Sequence, residues 1–295
     1  MKTKTAMITI AGRPNVGKST LTNYLVGEKI AIVSNKPQTT RNRICGIVTR
    51  DDIQYVFVDT PGFHRARTKL GDYMVNVAQE SIADVDLTIL VVEPVASIGP
   101  QEEALIQKIR SSHCPSVLAI NKIDTVEKDT LLEVIAVYSK AASFEAIIPI
   151  SAKTGDGVEE LLNICEKYAV EGPFLFPEDI TTDQPERQVM AEIIREKLLW
   201  CLEREVPHGT AVEITTFSER DNGIIDIDAT IYCEKASHKG IIIGKHGEML
   251  KKISSMARAD CEKFMGTRVY LTTWVKVKEN WRDSDFLVRN FGYRE

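Results

Sequence analysis

Short apolar runs alternate with helix-like stretches over roughly the first 170 residues of the chain. Five runs are typical of buried strands: Met7–Ile10, Tyr55–Val58, Leu87–Val92, Val117–Ile120 and Ile147–Ile150. Five stretches with helical spacing lie between or after them, at 19–27, 70–83, 101–111, 128–142 and 157–168. This alternation predicts a mostly parallel sheet with helices on both faces. Ile44–Arg50 adds a candidate antiparallel edge strand, so the predicted sheet has six strands.

The pattern changes after residue 171. Three prolines and a glycine fall within 172–185, which indicates a linker. The elements predicted beyond it are a helix at 187–203, strands at 210–218 and 224–232 around Asp221-Asn222-Gly223, a helix–turn–helix through Gly240–Gly266 and a last strand at Thr267–Val277. We therefore predict one domain over 1–171, a linker over 172–186 and a smaller α+β domain over 187–295.

Composition places the protein in a broad class. The chain has 295 residues, a net charge of −5 and six cysteines with no C-x-x-C pair. That cysteine spacing is not typical of a zinc site or a compact disulfide framework, and it favours a reduced compartment. No signal-peptide core is visible, and no apolar run approaches the ~20 residues that cross a bilayer. We expect a soluble, cytoplasmic monomer.

The octapeptide after the first strand is the strongest motif in the chain. It matches G-x-x-x-x-G-K-[ST] and reads Gly12-Arg13-Pro14-Asn15-Val16-Gly17-Lys18-Ser19. The glycines let backbone N–H groups turn toward phosphate oxygens, while Lys18 reaches the β- and γ-phosphates and Ser19 offers its hydroxyl to Mg²⁺. Thr20 continues into the helix that begins here, whose positive dipole end adds to the site. The motif predicts a nucleotide-binding P-loop.

A second candidate phosphate and metal group follows the strand Tyr55–Val58. Asp59-Thr60-Pro61-Gly62 lies at a strand's carboxyl end, which is where open α/β sheets bind ligands. We expect Asp59 to hold Mg²⁺ through water and the Gly62 N–H to face the γ-phosphate. The next residue is Phe63, whose ring cannot orient a water molecule by hydrogen bonding. Unaided hydrolysis should therefore be slow.

Two further loops are suited to recognition of the base. Asn121-Lys122-Ile123-Asp124 follows one strand, and Ser151-Ala152-Lys153 follows another. A carboxylate at Asp124 can accept two hydrogen bonds from guanine, which adenine does not offer. We expect this acceptor to be buried, and since a buried acceptor left unpaired costs ~1–3 kcal/mol, the site should select GTP and GDP over ATP. Asn121 can brace the P-loop and meet guanine N7, and the Lys122 stem can cover the ring. A backbone N–H of the Ser151-Ala152-Lys153 loop can meet guanine O6.

The second domain concentrates positive charge beside a glycine-flanked loop. Between Lys235 and Lys278 there are ten basic and three acidic residues, whereas 204–234 holds two basic and seven acidic ones. Such asymmetry is typical of a nucleic-acid surface, although a solvated basic face is the ordinary alternative. The candidate RNA-binding residues are Ile243, Gly244, Lys245, His246, Gly247, Lys251 and Lys252. In the predicted α-β-β-α-α-β order, a G-x-x-G loop between helices indicates a KH type II domain that holds single-stranded RNA.

Two side chains of this domain keep alternative interpretations. His246 could contact RNA or be a solvated loop residue. Trp274 and Trp281 flank a basic stretch and could stack on bases, but we expect core packing for both.

The motifs together resemble the Era family among the translation-factor-related GTPases. The likeness rests on the P-loop form G-x-P-N-V-G-K-S, on Lys36-Pro37-Gln38-Thr39-Thr40-Arg41 and on Asp59-Thr60-Pro61-Gly62-Phe63-His64. It implies that Thr40 completes the Mg²⁺ shell, with Thr39 as the alternative, and that Asn15 helps bind K⁺, the alternative being that it only shapes the loop. It also implies a GTP-hydrolysing factor in assembly of the small (30S) ribosomal subunit.

The same resemblance implies partners and a location. The KH domain would bind single-stranded RNA near the 3′ end of 16S rRNA, with RNA binding coupled to the nucleotide state. Contact with the inner face of the cell membrane is implied too, although no amphipathic anchor is visible in the sequence. Two rival functions are a GTPase in tRNA modification or membrane transport, and an RNA-binding protein whose nucleotide site is only structural.

Overall fold

A computed structural model describes residues 2–62, 68–81 and 85–293. Its contacts divide the chain into two compact units. The first comprises 1–31, 40–65 and 74–183, and the second comprises 32–39, 66–73 and 184–295.

The first unit contains a sheet whose described strands number seven. They are β1 (Lys4–Ala11), β2 (Ile44–Arg50), β3 (Ile53–Asp59), β4 (Leu87–Val92), β5 (Ser116–Ile120), β6 (Ala146–Pro149) and β7 (Val170–Glu171). The order is β2-β3-β1-β4-β5-β6, and β7 pairs with β1. Only β2 and β7 run antiparallel to their neighbours among these strands. The predicted P-loop α/β fold and the antiparallel edge strand are confirmed, but the two-residue β7 adds a seventh strand to the predicted six.

Helices cover both faces of this sheet. The helices with residues in this unit are α1 (Lys18–Val26), α2 (Lys69–Glu80, from Met74 onward), α3 (Pro100–Ser112), α4 (Lys128–Ala141) and α5 (Val158–Glu166). Apolar residues of α1 and α5 share one core cluster with β1, and residues of α3 and α4 share another with β5. Every residue of β3, β4 and β5 is buried, which is why these strands read as continuous apolar runs in the sequence.

The connection after the last helix of the first unit is hydrogen-bonded to its sheet. The Gln54 side chain of β3 accepts the backbone N–H groups of Leu175 and Phe176 at 2.9 and 3.0 Å. The Ile47 N–H of β2 donates to the Thr181 carbonyl at 2.8 Å. Much of the predicted linker therefore runs along the first unit as an ordered segment.

The second unit is built on a three-stranded sheet. Its elements are α6 (Glu186–Cys201), β8 (Ala211–Glu219), β9 (Ile225–Cys233), α7 (Ala236–Ile243), α8 (Glu248–Met265), β10 (Val269–Val277) and α9 (Asp285–Asn290). The strand order is β10-β9-β8, with β10 parallel and β8 antiparallel to β9. This arrangement is the predicted α-β-β-α-α-β order, so the predicted KH type II fold is confirmed. The short α9 was not predicted.

A stretch from early in the chain belongs to the second unit. The Val33 N–H donates to the Glu196 carboxylate at 2.9 Å, and the Trp200 indole N–H donates to the Val33 carbonyl at 2.9 Å. The Lys36 ammonium donates to the carbonyls of Leu199 and Leu202 at the end of α6. Residues 32–39 are thus bound to α6 by both backbone and side-chain hydrogen bonds.

All six cysteines are free thiols. Cys114 in the first unit and Cys201 in the second are half-buried, whereas Cys45, Cys165, Cys233 and Cys261 are buried. Burial raises the pKa of Cys45 to about 11 and that of Cys165 to about 12. No helix within the described ranges combines the length and apolar character needed to span a membrane.

Candidate functional site

The octapeptide 12–19 forms the turn between β1 and α1. Gly17 caps the helix with a left-handed backbone (φ +101°), and Asn15 is also left-handed (φ +66°). Lys18 is buried, and its ammonium donates to the carbonyls of Gly12 at 3.0 Å and Arg13 at 3.1 Å. The lysine therefore lies across the inside of the loop, where its charge can meet phosphate oxygens.

Three oxygen-bearing side chains meet at the start of α1. Ser19 Oγ lies 2.9 Å from Thr40 Oγ1 and donates to Asp59 Oδ2 at 2.7 Å. Asp59 is fully buried, and its Oδ1 atom has no hydrogen-bond partner. An all-oxygen donor set with an orphaned buried carboxylate oxygen suits Mg²⁺. The residues predicted for the metal are thus brought together.

The structure separates the two neighbouring threonines. The Thr39 hydroxyl donates to the Lys36 carbonyl at 2.7 Å, and its own carbonyl accepts the Arg195 guanidinium within the second unit. Only Thr40 brings its hydroxyl to Ser19, so the geometry favours Thr40 over Thr39 as the metal ligand.

Lys18 and Asp59 alter each other's titration. Burial lowers the pKa of the Lys18 ammonium to about 8, and the Asp59 carboxylate opposes that shift. Burial raises the pKa of Asp59 to about 6, against the opposing effects of Lys18, the Ser19 hydroxyl and the Thr60 N–H. Both charged forms are poorly solvated here, so the site favours ligands that bring opposite charges to each group.

The segment after β3 comes close to the P-loop. Thr60 is buried, and its hydroxyl donates to the Ile10 carbonyl of β1 at 3.2 Å. A Cβ at Gly62 would lie 2.8 Å from the Pro14 backbone nitrogen, so only glycine permits this approach. Pro61 is buried beside it, and Phe63 lies outside the described residues.

Asn121 connects the P-loop with the loop after β6. Its amide donates to the Val16 carbonyl at 2.8 Å, and its Oδ1 accepts the Ala152 N–H at 2.9 Å. Since the residue is 2% exposed, these bonds are shielded from water. The bracing role predicted for Asn121 matches this geometry.

Asp124, whose carboxylate is expected to recognise the base, is more exposed than predicted. Asp124 Oδ1 accepts the Ser151 hydroxyl at 2.8 Å, so the two predicted loops do meet. Asp124 is nevertheless exposed, whereas Ser151 is fully buried and Lys153 is exposed. The expectation of a buried acceptor is not met, because Asp124 lies in the short Ile123–Thr125 helical turn that follows β5 and its side chain is exposed there. The Ser151 hydroxyl orients this exposed carboxylate.

A charged network beside the P-loop was missed by the sequence reasoning. The Lys122 ammonium donates to the Asn15 carbonyl at 2.7 Å and to Glu93 Oε1 at 2.5 Å. Glu93 Oε2 accepts the Arg13 guanidinium, whose Nε lies 2.8 Å from Glu102 Oε1. Glu93 directly follows β4, at the same sheet edge as the other loops, and that position was the available signal.

The glycine-flanked loop of the second unit joins α7 to α8. Gly244 (φ +74°) ends α7, and Gly247 (φ +81°) caps the start of α8. A Cβ at Gly244 would lie 2.7 Å from the Met249 Cβ, so the loop is closed tightly against α8. Between the glycines, Lys245 and His246 are exposed. The loop therefore presents a cation at a helix N-terminus, which is suited to a phosphate backbone.

The other predicted RNA-binding residues extend from this loop. Lys251 and Lys252 are exposed on α8, and Ile243 is half-buried against the core. Trp281 is fully buried and donates its indole N–H to the Gly209 carbonyl at 2.9 Å. Trp274 is 61% exposed on β10, so core packing was correct for Trp281 and wrong for Trp274.

Comparisons with known proteins agree with this geometry. The model of a family described as "50S ribosome-binding GTPase" matches residues 7–122, and that of the KH domain matches residues 205–282. The chain is 52% identical over 294 residues to the GTPase Era of Ruminiclostridium cellulolyticum, with 100% of this chain and 99% of that protein covered.

Two solved structures are also similar over the full length. One is Era in complex with MgGDPNP and nucleotides 1506–1542 of 16S ribosomal RNA, with a TM-score of 0.94 and 38% identity. The other is an Aquifex aeolicus Era variant bound to GDP and AlF₄⁻, again with a TM-score of 0.94 and 38% identity. Each similarity covers 99% of this chain and 100% of the solved chain.

Proposed function

Because the chain belongs to the Era family and is therefore a GTPase with a KH domain, we propose that it assists assembly of the 30S ribosomal subunit by binding the 3′ end of 16S rRNA. The observation that carries the proposal is the presence of two separate recognition sites in one chain. A P-loop site with guanine-binding loops lies in the first unit, and a cation-bearing G-x-x-G loop lies in the second. The RNA bound by the similar solved complex supplies the substrate class.

In the nucleotide site, each side chain has a role that follows from its position. Lys18 neutralises charge on the β- and γ-phosphates, because its ammonium lies inside the P-loop. Ser151 orients Asp124 for the guanine edge, and the buried Asn121 keeps the P-loop and the Ala152 N–H in register. Catalysis is then largely positioning and charge stabilisation, as phosphoryl transfer requires.

Ser19, Thr40 and Asp59 would hold Mg²⁺, which supplies neutralisation of phosphate charge when bound, with Asp59 acting through water. Thr40 can complete that set because its hydroxyl already lies beside Ser19. We further propose that the exposed Asn15 side chain contributes to a K⁺ site beside the phosphates. Hydrolysis that runs equally fast in K⁺ and in Na⁺ would remove the K⁺ assignment.

In the second unit, the G-x-x-G loop would clamp the backbone of single-stranded RNA. Lys245, Lys251 and Lys252 would supply charge, and the N-terminus of α8 would add its dipole. Coupling requires that RNA binds the GTP and GDP states with different affinity, since a ligand shifts an equilibrium only by that difference. We place this activity in the cytoplasm, with the protein acting as a monomer. Light scattering tests the oligomeric state by measuring the molar mass of the free protein.

The decisive experiment measures RNA binding and nucleotide state together. The Kd for an oligonucleotide copied from the 3′ end of 16S rRNA is measured with a GTP analogue and with GDP, both with Mg²⁺. We expect the two Kd values to differ and the difference to vanish in Lys18→Ala. The matched control Lys128→Ala removes an exposed lysine at the start of α4 and should retain it. Equal Kd values in the unaltered protein would contradict the coupling.

A second experiment tests the identity of the RNA. The full chain is crosslinked to total cellular RNA, and the attached fragments are sequenced. Fragments from the 3′ end of 16S rRNA support the proposal. Fragments dominated by tRNA would instead favour a role in tRNA modification.

A further inference from the structure

Four charged side chains from four separate segments meet beside the P-loop. Arg13 belongs to the P-loop, Glu93 follows β4, Glu102 lies in the first turn of α3 and Lys122 belongs to the base-recognition loop. The three ion pairs join Arg13 to Glu93, Arg13 to Glu102 and Lys122 to Glu93. The side chains of Arg13, Glu93 and Lys122 are each about one-third exposed, and that of Glu102 is 8% exposed.

Glu93 is the residue that connects the two loops. One of its carboxylate oxygens accepts from Lys122 and the other accepts from Arg13. The same Lys122 ammonium donates to the Asn15 carbonyl at 2.7 Å. The Glu93 carboxylate therefore links Lys122, which should cover the base, to Arg13 at one end of the turn, while Lys122 itself bonds Asn15 at the other end.

The backbone at both ends of the lysine bridge adopts an uncommon conformation. Lys122 has φ +67° and Asn15 has φ +66°, so both lie in the left-handed region. Asparagine is enriched there, but lysine is not, and such residues persist when surrounding contacts over-determine them. For Lys122 those contacts include the bonds from its side chain to Glu93 and Asn15, together with the hydrogen bonds that its carbonyl accepts from the N–H and hydroxyl of Thr125.

Glu102 forms a second ion pair with Arg13. Its Oε1 lies 2.8 Å from Arg13 Nε, and its Oε2 accepts the Gly99 N–H at 3.0 Å at the start of α3. The guanidinium is thus ion-paired with two carboxylates. Arg13 in turn gives Glu93 a defined position from which to hold Lys122.

We propose that Glu93 is a positioning residue for guanine-nucleotide binding, which holds the Lys122 stem over the base and fixes the P-loop turn against it. The inference rests on the nucleotide site described above and adds a residue outside its sequence motifs. Loss of the carboxylate should weaken binding of GTP and GDP alike, because it acts before any bond to phosphorus changes. The effect should appear in Kd and KM and leave kcat unaltered.

The test compares Glu93→Gln with Glu103→Gln in the full-length chain. Glu103 lies exposed on the first turn of α3 and serves as the matched loss of one carboxylate charge. We expect Glu93→Gln to raise the Kd for a fluorescent GDP with Mg²⁺ about tenfold, as for loss of two charge-assisted hydrogen bonds at a partly exposed site. The KM for GTP should rise in parallel while kcat stays within about twofold. Glu103→Gln should change none of these values.

A double-mutant cycle identifies the route through Lys122. Lys122→Met keeps an apolar stem and removes the ammonium, so adding Glu93→Gln to it should raise the Kd by less than about threefold. An equal fold-change in both backgrounds would overturn the proposal. So would an unchanged Kd in Glu93→Gln while the unaltered protein binds GDP normally, as expected for a solvated ion pair. A fall in the urea midpoint of the nucleotide-free protein that matches the loss of affinity would assign Glu93 a merely structural role.

Discussion

Alanine at Gly17 provides a sharp test of how the P-loop is joined to the base-recognition loops. Gly17 caps α1 with φ +101°, and a Cβ there would overlap the Asn121 Nδ2 atom. That amide must move, and its bonds to the Val16 carbonyl and the Ala152 N–H are then disturbed together. The substitution therefore acts at the phosphate and base ends of the site at once.

The magnitude can be divided into two contributions. A left-handed backbone costs an alanine about 1–2 kcal/mol, and disturbing the buried Asn121 bonds costs about 1–3 kcal/mol. Gly27 supplies the matched control, because it caps the other end of α1 with φ +81° and a Cβ there meets nothing within 4 Å. Gly27→Ala should thus lower the free energy of unfolding by about 1–2 kcal/mol, and Gly17→Ala by about 2–5 kcal/mol.

The assay measures urea unfolding and the Kd for a fluorescent GDP in both variants. Gly27→Ala should bind GDP within about twofold of the unaltered protein, whereas Gly17→Ala should bind at least about 30-fold more weakly, which corresponds to about 2 kcal/mol. If both variants lose the same stability and the same affinity, Asn121 does not join the two parts of the site, and the reasoning fails.

Three further predictions follow from the same geometry. Asp124→Asn should shift preference from guanine toward xanthine nucleotides, because an amide can donate where the carboxylate only accepts; competition binding with GDP and XDP checks this, and unchanged selectivity would contradict it. Burial raises the pKa of Asp59 to about 6, above its ordinary value. The stabilisation that the protonated carboxyl contributes is therefore fully present below that ordinary value and is lost as the pH rises through about 6. Urea unfolding of the nucleotide-free protein at several pH values should show this fall in the free energy of unfolding, and Asp59→Asn should lack it. Gly247→Asp should weaken RNA binding about tenfold or more in a gel-shift assay, because the new carboxylate repels phosphate, and it should spare GTP turnover. The control Gly266→Asp lies at the other left-handed cap of α8 and should bind RNA normally in that assay.

The parts of the fold that sequence predicted well are those with a strong apolar signal. Leu87–Val92 was predicted with the bounds that the structure shows, because a strand buried on both faces reads as an uninterrupted apolar run. The two-residue strand Val170–Glu171 carries no such signal, since both of its residues are exposed and its pairing with β1 is decided by tertiary contacts. Trp274 was expected in the core from its residue type, but the alternation of side chains along β10 places it on the exposed face.

The site was predictable where one motif carries one chemical role. Lys18, Ser19 and Asp59 each follow from local sequence, and the structure brings them together. Glu93 does not, because its importance lies in two partners that are distant in the chain, at Arg13 and Lys122. Burial is equally non-local, which is why Asp124 was expected inside the protein and lies exposed.

The distribution of thiols has a practical consequence for observing the protein at work. Four sulfur atoms are enclosed, while Cys114 and Cys201 remain partly accessible and belong to different units. A maleimide dye should therefore attach first at these two positions without any cysteine being engineered. Energy transfer between a donor and an acceptor attached there would report whether the distance between these two positions changes during turnover, with the native sequence retained.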